Sequence, residues 1–124
     1  MQRKTKREIG NIGETAVCKF LKQNGYEIVN RNFTIRGGEI DIIAKKDNVI
    51  AFVEVKTRKV DTIQQGEEAV NKTKQQHIIK AAKIFFETLD DGFSGRFDVA
   101  VVEISGDYVK KIKYYVSAFD ASAD

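Results

Sequence analysis

A chain of 124 residues, 42% hydrophobic and 31% charged, is most simply one domain spanning residues 1–124, long enough to bury about two-thirds of its unfolded surface. Low-complexity and repeat architectures are excluded by inspection, and a single Cys excludes an internal disulfide framework. The formal charge of +3 hides an asymmetry: residues 1–83 carry 17 Lys and Arg against 10 Asp and Glu, whereas residues 84–124 carry 4 against 8. That excess is too modest to identify nucleic acid by itself.

The basic start, Gln2 to Arg7, is followed by no apolar signal core, and no apolar run approaches the roughly 18 residues that span a bilayer. A cytoplasmic protein without membrane contact is therefore expected. Ile9, Ile12, Gly13, Ala16, Val17, Phe20 and Leu21 then mark one helical face, and Asn24-Gly25 a stop. Cys18 falls opposite that stripe and reads as an incidental thiol. Glu14 borders the stripe beside Gly10 and Gly13, glycines that weaken a helix and mark the close approach of something else. It is either a surface glutamate or a carboxylate leaning toward the sheet edge.

Tyr26 to Phe33 is a strand, and Gly37-Gly38 permits unusual backbone angles or a close ligand before Glu39. Glu39 to Lys45 and Val49 to Thr57 are Ile- and Val-rich strands around a turn at Lys46-Asp47-Asn48. Centring that turn between Asp47 and Asn48 makes opposed residue numbers sum to 95, so Asp41 faces Glu54 and Glu39 faces Lys56. Opposed carboxylates lie about 5 Å apart at Cβ and repel unless something positive intervenes. Alternation places Ile40, Ile42, Val53 and Val55 on one face and Ile43, Ile50 and Phe52 on the other, so both faces read as covered. An ion-pair cluster on a solvated face is the alternative. Burying two acids uncompensated costs several kcal/mol, on the order known for unpaired buried charges, which favours a divalent cation between them with Lys56 alongside.

Arg58 to Gly66 reads as a loop beside this site. A helix follows from Glu67-Glu68 to about Leu89, its buried face running through Val70, Lys74, Ile78, Ala81, Ala82, Phe85 and Leu89. Lys74 in an apolar stripe either snorkels outward or points along the sheet to the carboxylates. Lys72, Gln76, Lys80 and Lys83 form an outer basic stripe, solvated surface or phosphate contact. His77 lacks a partner at ligand spacing. Arg96 to Ile104 and Tyr108 to Val116 are the last strands, joined by a turn at Ser105-Gly106-Asp107. A strand, a long helix and a strand imply a right-handed crossover with parallel pairing. The order αβββαββ predicts an α/β fold with a mixed central sheet flanked by helices. Phosphate-cradle, dinucleotide, serine-elbow and zinc-spacing motifs are absent.

Gly38-Glu39-Ile40-Asp41, twelve residues, then Glu54-Val55-Lys56 resembles the Asp-x(n)-Glu-x-Lys signature of the restriction-endonuclease-like (PD-D/E-x-K) nuclease superfamily. Together with Gly10, Gly13-Glu14-Thr15-Ala16, Arg31-Asn32, Phe52 to Arg58, Ala69-Val70, Lys74 and Arg96-Phe97-Asp98-Val99, it resembles the YraN-like family of uncharacterised bacterial proteins grouped with the nucleases. The resemblance covers nearly the whole chain. It implies a restriction-endonuclease-like fold, and it is similar to archaeal Holliday-junction resolvases, which use a glutamate on the first helix. Carried over, Glu14, Asp41 and Glu54 become ligands of Mg²⁺ or Mn²⁺, and Lys56 the catalytic lysine. The superfamily's nominal proline before the first Asp is Ile40 here.

On this resemblance the chain is expected to be a metal-dependent nuclease hydrolysing DNA phosphodiesters, selective for DNA structure such as branches. Mg²⁺ suits two or three carboxylates and retained waters. Lys56 would stabilise charge building on the phosphorus, while Arg58, Lys72, Lys74, Lys80 and Lys83 would hold the backbone without reading sequence. Resolvase likeness also raises a homodimer. The alternative is a catalytically inactive module on the same fold that binds nucleic acid or protein.

Overall fold

The computed structural model describes residues 4–60 and 70–121. The elements run α1 (Lys6–Gln23), β1 (Glu27–Ile35), β2 (Gly38–Lys46), β3 (Val49–Lys59), α2 (Lys72–Phe86), β4 (Ser94–Ser105) and β5 (Tyr108–Phe119). The predicted order αβββαββ therefore holds. The strands form one five-stranded sheet in the order β1-β2-β3-β4-β5. Neighbours are antiparallel except β3 and β4, which the α2 crossover joins in parallel, as the spacing required.

Each helix covers one face. Val17, Cys18 and Leu21 of α1 pack with Ile42, Ala44, Ala51, Val53, Ala100, Val102 and Ile104. Ile78, Ile79, Ala81, Ala82 and Phe85 of α2 pack on Ile43, Ile50, Phe52, Val99 and Val101. Phe52 centres the second layer, its ring 5.5 to 6.1 Å from those of Phe85, Phe86 and Phe97. Fully burying such a side chain contributes about 1.5–3 kcal/mol. The buried arc of α1 is wider than its apolar stripe, since Cys18 packs beside Val17 and Leu21 against the sheet. Cys18, expected outside, is only 8% exposed, and burial raises its thiol pKa.

The helix starts differ in an instructive way. Thr5 and Glu8 form the capping box of α1, the Glu8 N–H donating to Thr5 Oγ1 (3.1 Å) and the Thr5 N–H to Glu8 Oε1 (2.9 Å). Helix α2 was expected from Glu67, but Asn71 is its N-cap, accepting from the Lys74 N–H at 2.8 Å. The side-chain cap satisfies an orphan donor that the upstream apolar pattern does not reveal. Glu67-Glu68 and most of the expected 58–66 loop lie outside the described residues, but Arg58 and Lys59 belong to β3, which is longer than predicted.

The hairpin register is the predicted one, with Ile42 opposite Val53, Ile43 opposite Phe52 and Lys46 opposite Val49. Asp47 turns through φ 54°, a left-handed conformation that Asp tolerates. The β2–β3 ladder ends at Ile42–Val53, so neither Asp41–Glu54 nor Glu39–Lys56 forms the expected backbone pair. The alternation also slips there: Ile40 packs with Ile43 in the α2 layer, while Ile42 packs in the α1 layer. Ile40 therefore does not share a face with Ile42: the break falls at Asp41, which pairs with neither neighbouring strand and lies between Ile40 and Ile42 opposite Asn32 at φ 59°.

Candidate functional site

Where β2 and β3 part, the side chain of Asp41 replaces the missing ladder partner. Its Oδ2 accepts the Val55 N–H at 2.9 Å. Glu54, on the α2 side of β3 in phase with Phe52, is 7% exposed and one of two buried acids among the described residues. The two carboxyl groups lie against each other. The Asp41 pKa is pushed up to about 7, first by burial, then by the Glu54 charge and a carboxyl–carboxyl hydrogen bond, against the Val55 N–H and the charge of Lys74. This pair is short of positive charge.

Both helices and the far end of β3 converge on it. From α2, Lys74 Nζ stands 3.3 Å from Glu54 Oε2, so of the two readings of that lysine the geometry takes the one along the sheet. Burial works against the Lys74 ammonium, but Glu54, then Asp41 and Glu39, together raise its pKa above the ordinary lysine value. From α1, Glu14 faces the same space. Its pKa is raised by burial and then by the Asp41 charge, with Arg31 opposing. From the end of β3, Arg58 and Lys59 join Lys6 at the rim.

The result is a cleft of about 530 Å³ whose walls carry Glu14, Glu39, Asp41 and Glu54 together with Lys6, Arg58, Lys59 and Lys74. Glu39 is exposed, but Asp41, Glu54 and Glu14 are withdrawn, and withdrawn acids within reach of cations make an arrangement that can hold a small cation at the acids and a polyanion at the rim. Gly10 lines the cleft with nothing within 4 Å of where a Cβ would stand, so it marks open space rather than a close approach. Gly13 does mark one: a Cβ there would fall 1.8 Å from Thr57 Oγ1. That crowding lets α1 lie on β3 and bring Glu14 to the cleft, and it leaves the Thr57 hydroxyl without a hydrogen-bond partner among the described residues. Gly38 is likewise occupied by the fold itself, since a Cβ there would stand 2.6 Å from the His77 carbonyl oxygen of α2.

Other expected residues are placed elsewhere. Lys56 is half-buried on β3 between Val55 and Thr57, which line the cleft, but is not itself among the lining residues. Lys72, Lys80 and Lys83 are exposed on α2 and do not line the cleft either; the Lys80 ammonium instead lies over Gly37. Arg31 is a contributor the sequence did not single out. Its Nε donates to Glu14 Oε1 (3.2 Å) and its Nη2 to Thr15 Oγ1 (2.9 Å). Asn32, at φ 59°, stands beside Glu14 and, after Arg31, helps hold its charge. The available signal was the paired Arg31-Asn32 on the strand next to α1.

Among the described residues no group of three His, Cys, Asp or Glu stands close enough to hold one metal ion. What fits a divalent ion is the charge-deficient Asp41–Glu54 pair, with waters completing the shell, as Mg²⁺ commonly requires. Glu14, tied to Arg31, stands beyond that pair.

Residues 13–102 match the model of a family described as "Uncharacterised protein family UPF0102", a span that includes Glu14, Asp41, Glu54, Lys56 and Lys74. A UPF0102 protein of Caldicellulosiruptor bescii is 45% identical over 116 residues, 91% of this chain and 98% of that protein. One from Caldanaerobacter subterraneus subsp. tengcongensis is 34% identical over 122 residues, 96% and 100% of the two chains. One from Caldicellulosiruptor saccharolyticus is 50% identical over 82 residues, 66% and 70%.

Proposed function

The chain belongs to the UPF0102 family, in keeping with its YraN-like resemblance, and we propose that it is a divalent-metal-dependent nuclease of restriction-endonuclease-like fold that hydrolyses DNA phosphodiesters in the cytoplasm. The observation that carries this reading is the Asp41–Glu54 pair, withdrawn from solvent at the end of a ladder yet facing an open cleft with cations at its rim. A fold gains nothing from crowding two acids there, since one of them must be held protonated or matched by a cation. Where that cation is Mg²⁺ or Mn²⁺, it supplies polarisation of a phosphate oxygen and a more acidic water.

The chain's own residues do the rest. Asp41 and Glu54 would hold the ion, with Glu14, oriented by Arg31, as a third carboxylate on the same cleft. Arg58, Lys59 and Lys6 at the rim neutralise the phosphates flanking the reacting one, contacts that position DNA without reading bases. Lys56, two residues from Glu54, offsets charge developing in the transition state. Selectivity for DNA whose strands diverge follows from the resolvase likeness alone, which also motivates a homodimer. The second reading, an inactive module on the same fold, draws on the lack of a third ligand among the described residues.

The test is a cleavage assay over branched and linear DNAs with Mg²⁺ or Mn²⁺, paired with calorimetric titration of Mn²⁺. Metal-dependent cleavage that Asp41→Asn and Glu54→Gln abolish is the expected result. A parent protein that takes up no Mn²⁺ at millimolar concentration and cuts none of these DNAs removes the nuclease reading in favour of the module.

A further inference from the structure

Lys74 is oddly placed for a lysine. It lies in the first turn of α2, which contains no acidic residue, at the end where the helix dipole disfavours cations. Its backbone is pinned, because the Lys74 N–H donates to the Asn71 cap at 2.8 Å. The side chain nevertheless crosses to β3, where Nζ stands 3.3 Å from Glu54 Oε2, and it remains 45% exposed while Glu54 is 8% exposed. The stem is therefore free to turn, while its anionic partner stays where it is.

We propose that Lys74 is a tethered counter-ion, which neutralises Glu54 while no metal is bound, is displaced when a divalent ion enters, and then turns to a phosphate oxygen of the bound DNA. This rests on the nuclease reading and adds an exchange to it. A divalent ion at Asp41 and Glu54 competes with Lys74 for the Glu54 carboxylate, whose Oε2 the lysine holds, and two cations on one carboxylate repel. Release costs the lysine little, because its head already reaches solvent and four rotatable bonds separate it from the pinned backbone. Lys74 also lines the cleft, so a phosphate seated there comes within its swing. The exchange keeps the buried acids compensated at each stage.

Competition and substrate contact predict effects of opposite sign from one substitution. Lys74→Met removes the charge and keeps the stem, and Lys74→Gln serves as a second, more polar variant in case packing changes. Calorimetric titration with Mn²⁺ is expected to give several-fold tighter binding in both variants than in the parent, and Lys74→Arg is expected to restore parental affinity. Without metal both uncharged variants should melt below the parent, and saturating Mn²⁺ should close that gap, which a merely structural lysine would not produce. Binding of a labelled branched DNA in Ca²⁺ at fixed salt should instead weaken several-fold. Mn²⁺ affinity that is unchanged or weaker in the uncharged variants overturns the exchange while leaving the nuclease reading intact, and unaltered DNA affinity overturns its second half. A parent protein that binds no Mn²⁺ overturns both together.

Discussion

Two regions of the sheet bury carboxylates, and they treat them in opposite ways. Asp98 on β4 is 0% exposed and completely surrounded by donors. Arg96 clasps it from two residues away, with Nε at 2.9 and 3.1 Å and Nη2 at 2.8 Å. Tyr114 of β5 donates its hydroxyl to Asp98 Oδ2 at 2.6 Å, and the Ser117 N–H donates to Oδ1 at 2.9 Å. Arg96 in turn donates to the Tyr26 hydroxyl at 2.6 Å. Its pKa is raised above the ordinary arginine value, chiefly by the Asp98 bond. Burial, then that same carboxylate, raises the Tyr114 pKa. The network ties β4 and β5 to the turn after α1, and a bulge between Phe97 and Val99 with Ser117 at φ 53° shapes the backbone around it. At Asp41 and Glu54, among the described residues, one backbone N–H and one half-exposed lysine stand against two carboxyl groups. A buried acid whose every lone pair is answered holds a fold together; a pair left short of positive charge is free to do chemistry.

The sharpest way to break this contrast is to truncate the complete network. Asp98→Ala leaves Arg96 and Tyr114 without their acceptor, and is expected to cost about 3–5 kcal/mol of stability, read by urea unfolding. A loss below about 1 kcal/mol would mean that the network is no more structural than the cleft pair.

Next in size is Lys56→Ala. The variant should keep its Mn²⁺ affinity and nearly all of its DNA affinity, while cleavage falls by roughly 10²-fold, the scale of one lost transition-state stabiliser. Single-turnover rates and DNA affinities in one buffer decide it, and cleavage at the parental rate would strip Lys56 of its role.

The smallest expected effect is on stability at the cleft. Asp41 titrates near 7 in the folded protein against an ordinary 3.8, so the folded state binds more protons than the unfolded one between those values. The contribution of Asp41 to metal-free stability is therefore fully present below about pH 4 and is lost as pH rises through 7. Asp41→Asn keeps an acceptor for the Val55 N–H and removes the repulsion. It should equal the parent at pH 4 and exceed it by about 1–3 kcal/mol at pH 8. Thermal melts across that range in chelator test this, and a variant less stable than the parent at pH 8 would make the pair a structural one.

Local patterning determined a good deal here by itself. Apolar periodicity and turn residues place α1, the five strands and their order, because secondary structure follows from short-range alternation and punctuation. The Asp47-Asn48 turn fixes the hairpin register, and with it brings Asp41 and Glu54 together, since a slip by one residue would turn apolar side chains outward. Only the tertiary structure decided what depends on reach between elements. The ladder ends at Ile42–Val53, which strand spacing alone does not set, and the break at Asp41 puts Ile40 in the other layer and leaves Asp41 to bond Val55. The packing of α1 on the sheet buries Cys18, and the absent Cβ of Gly13 sets how near α1 carries Glu14. Lys74 meets Glu54 across 20 residues of chain, and Tyr114 closes on Asp98 across 16. The apolar stripe left both readings of Lys74 open and gave no sign of the Tyr114 bond, because a long side chain answers to charge and space in three dimensions rather than to its neighbours in sequence.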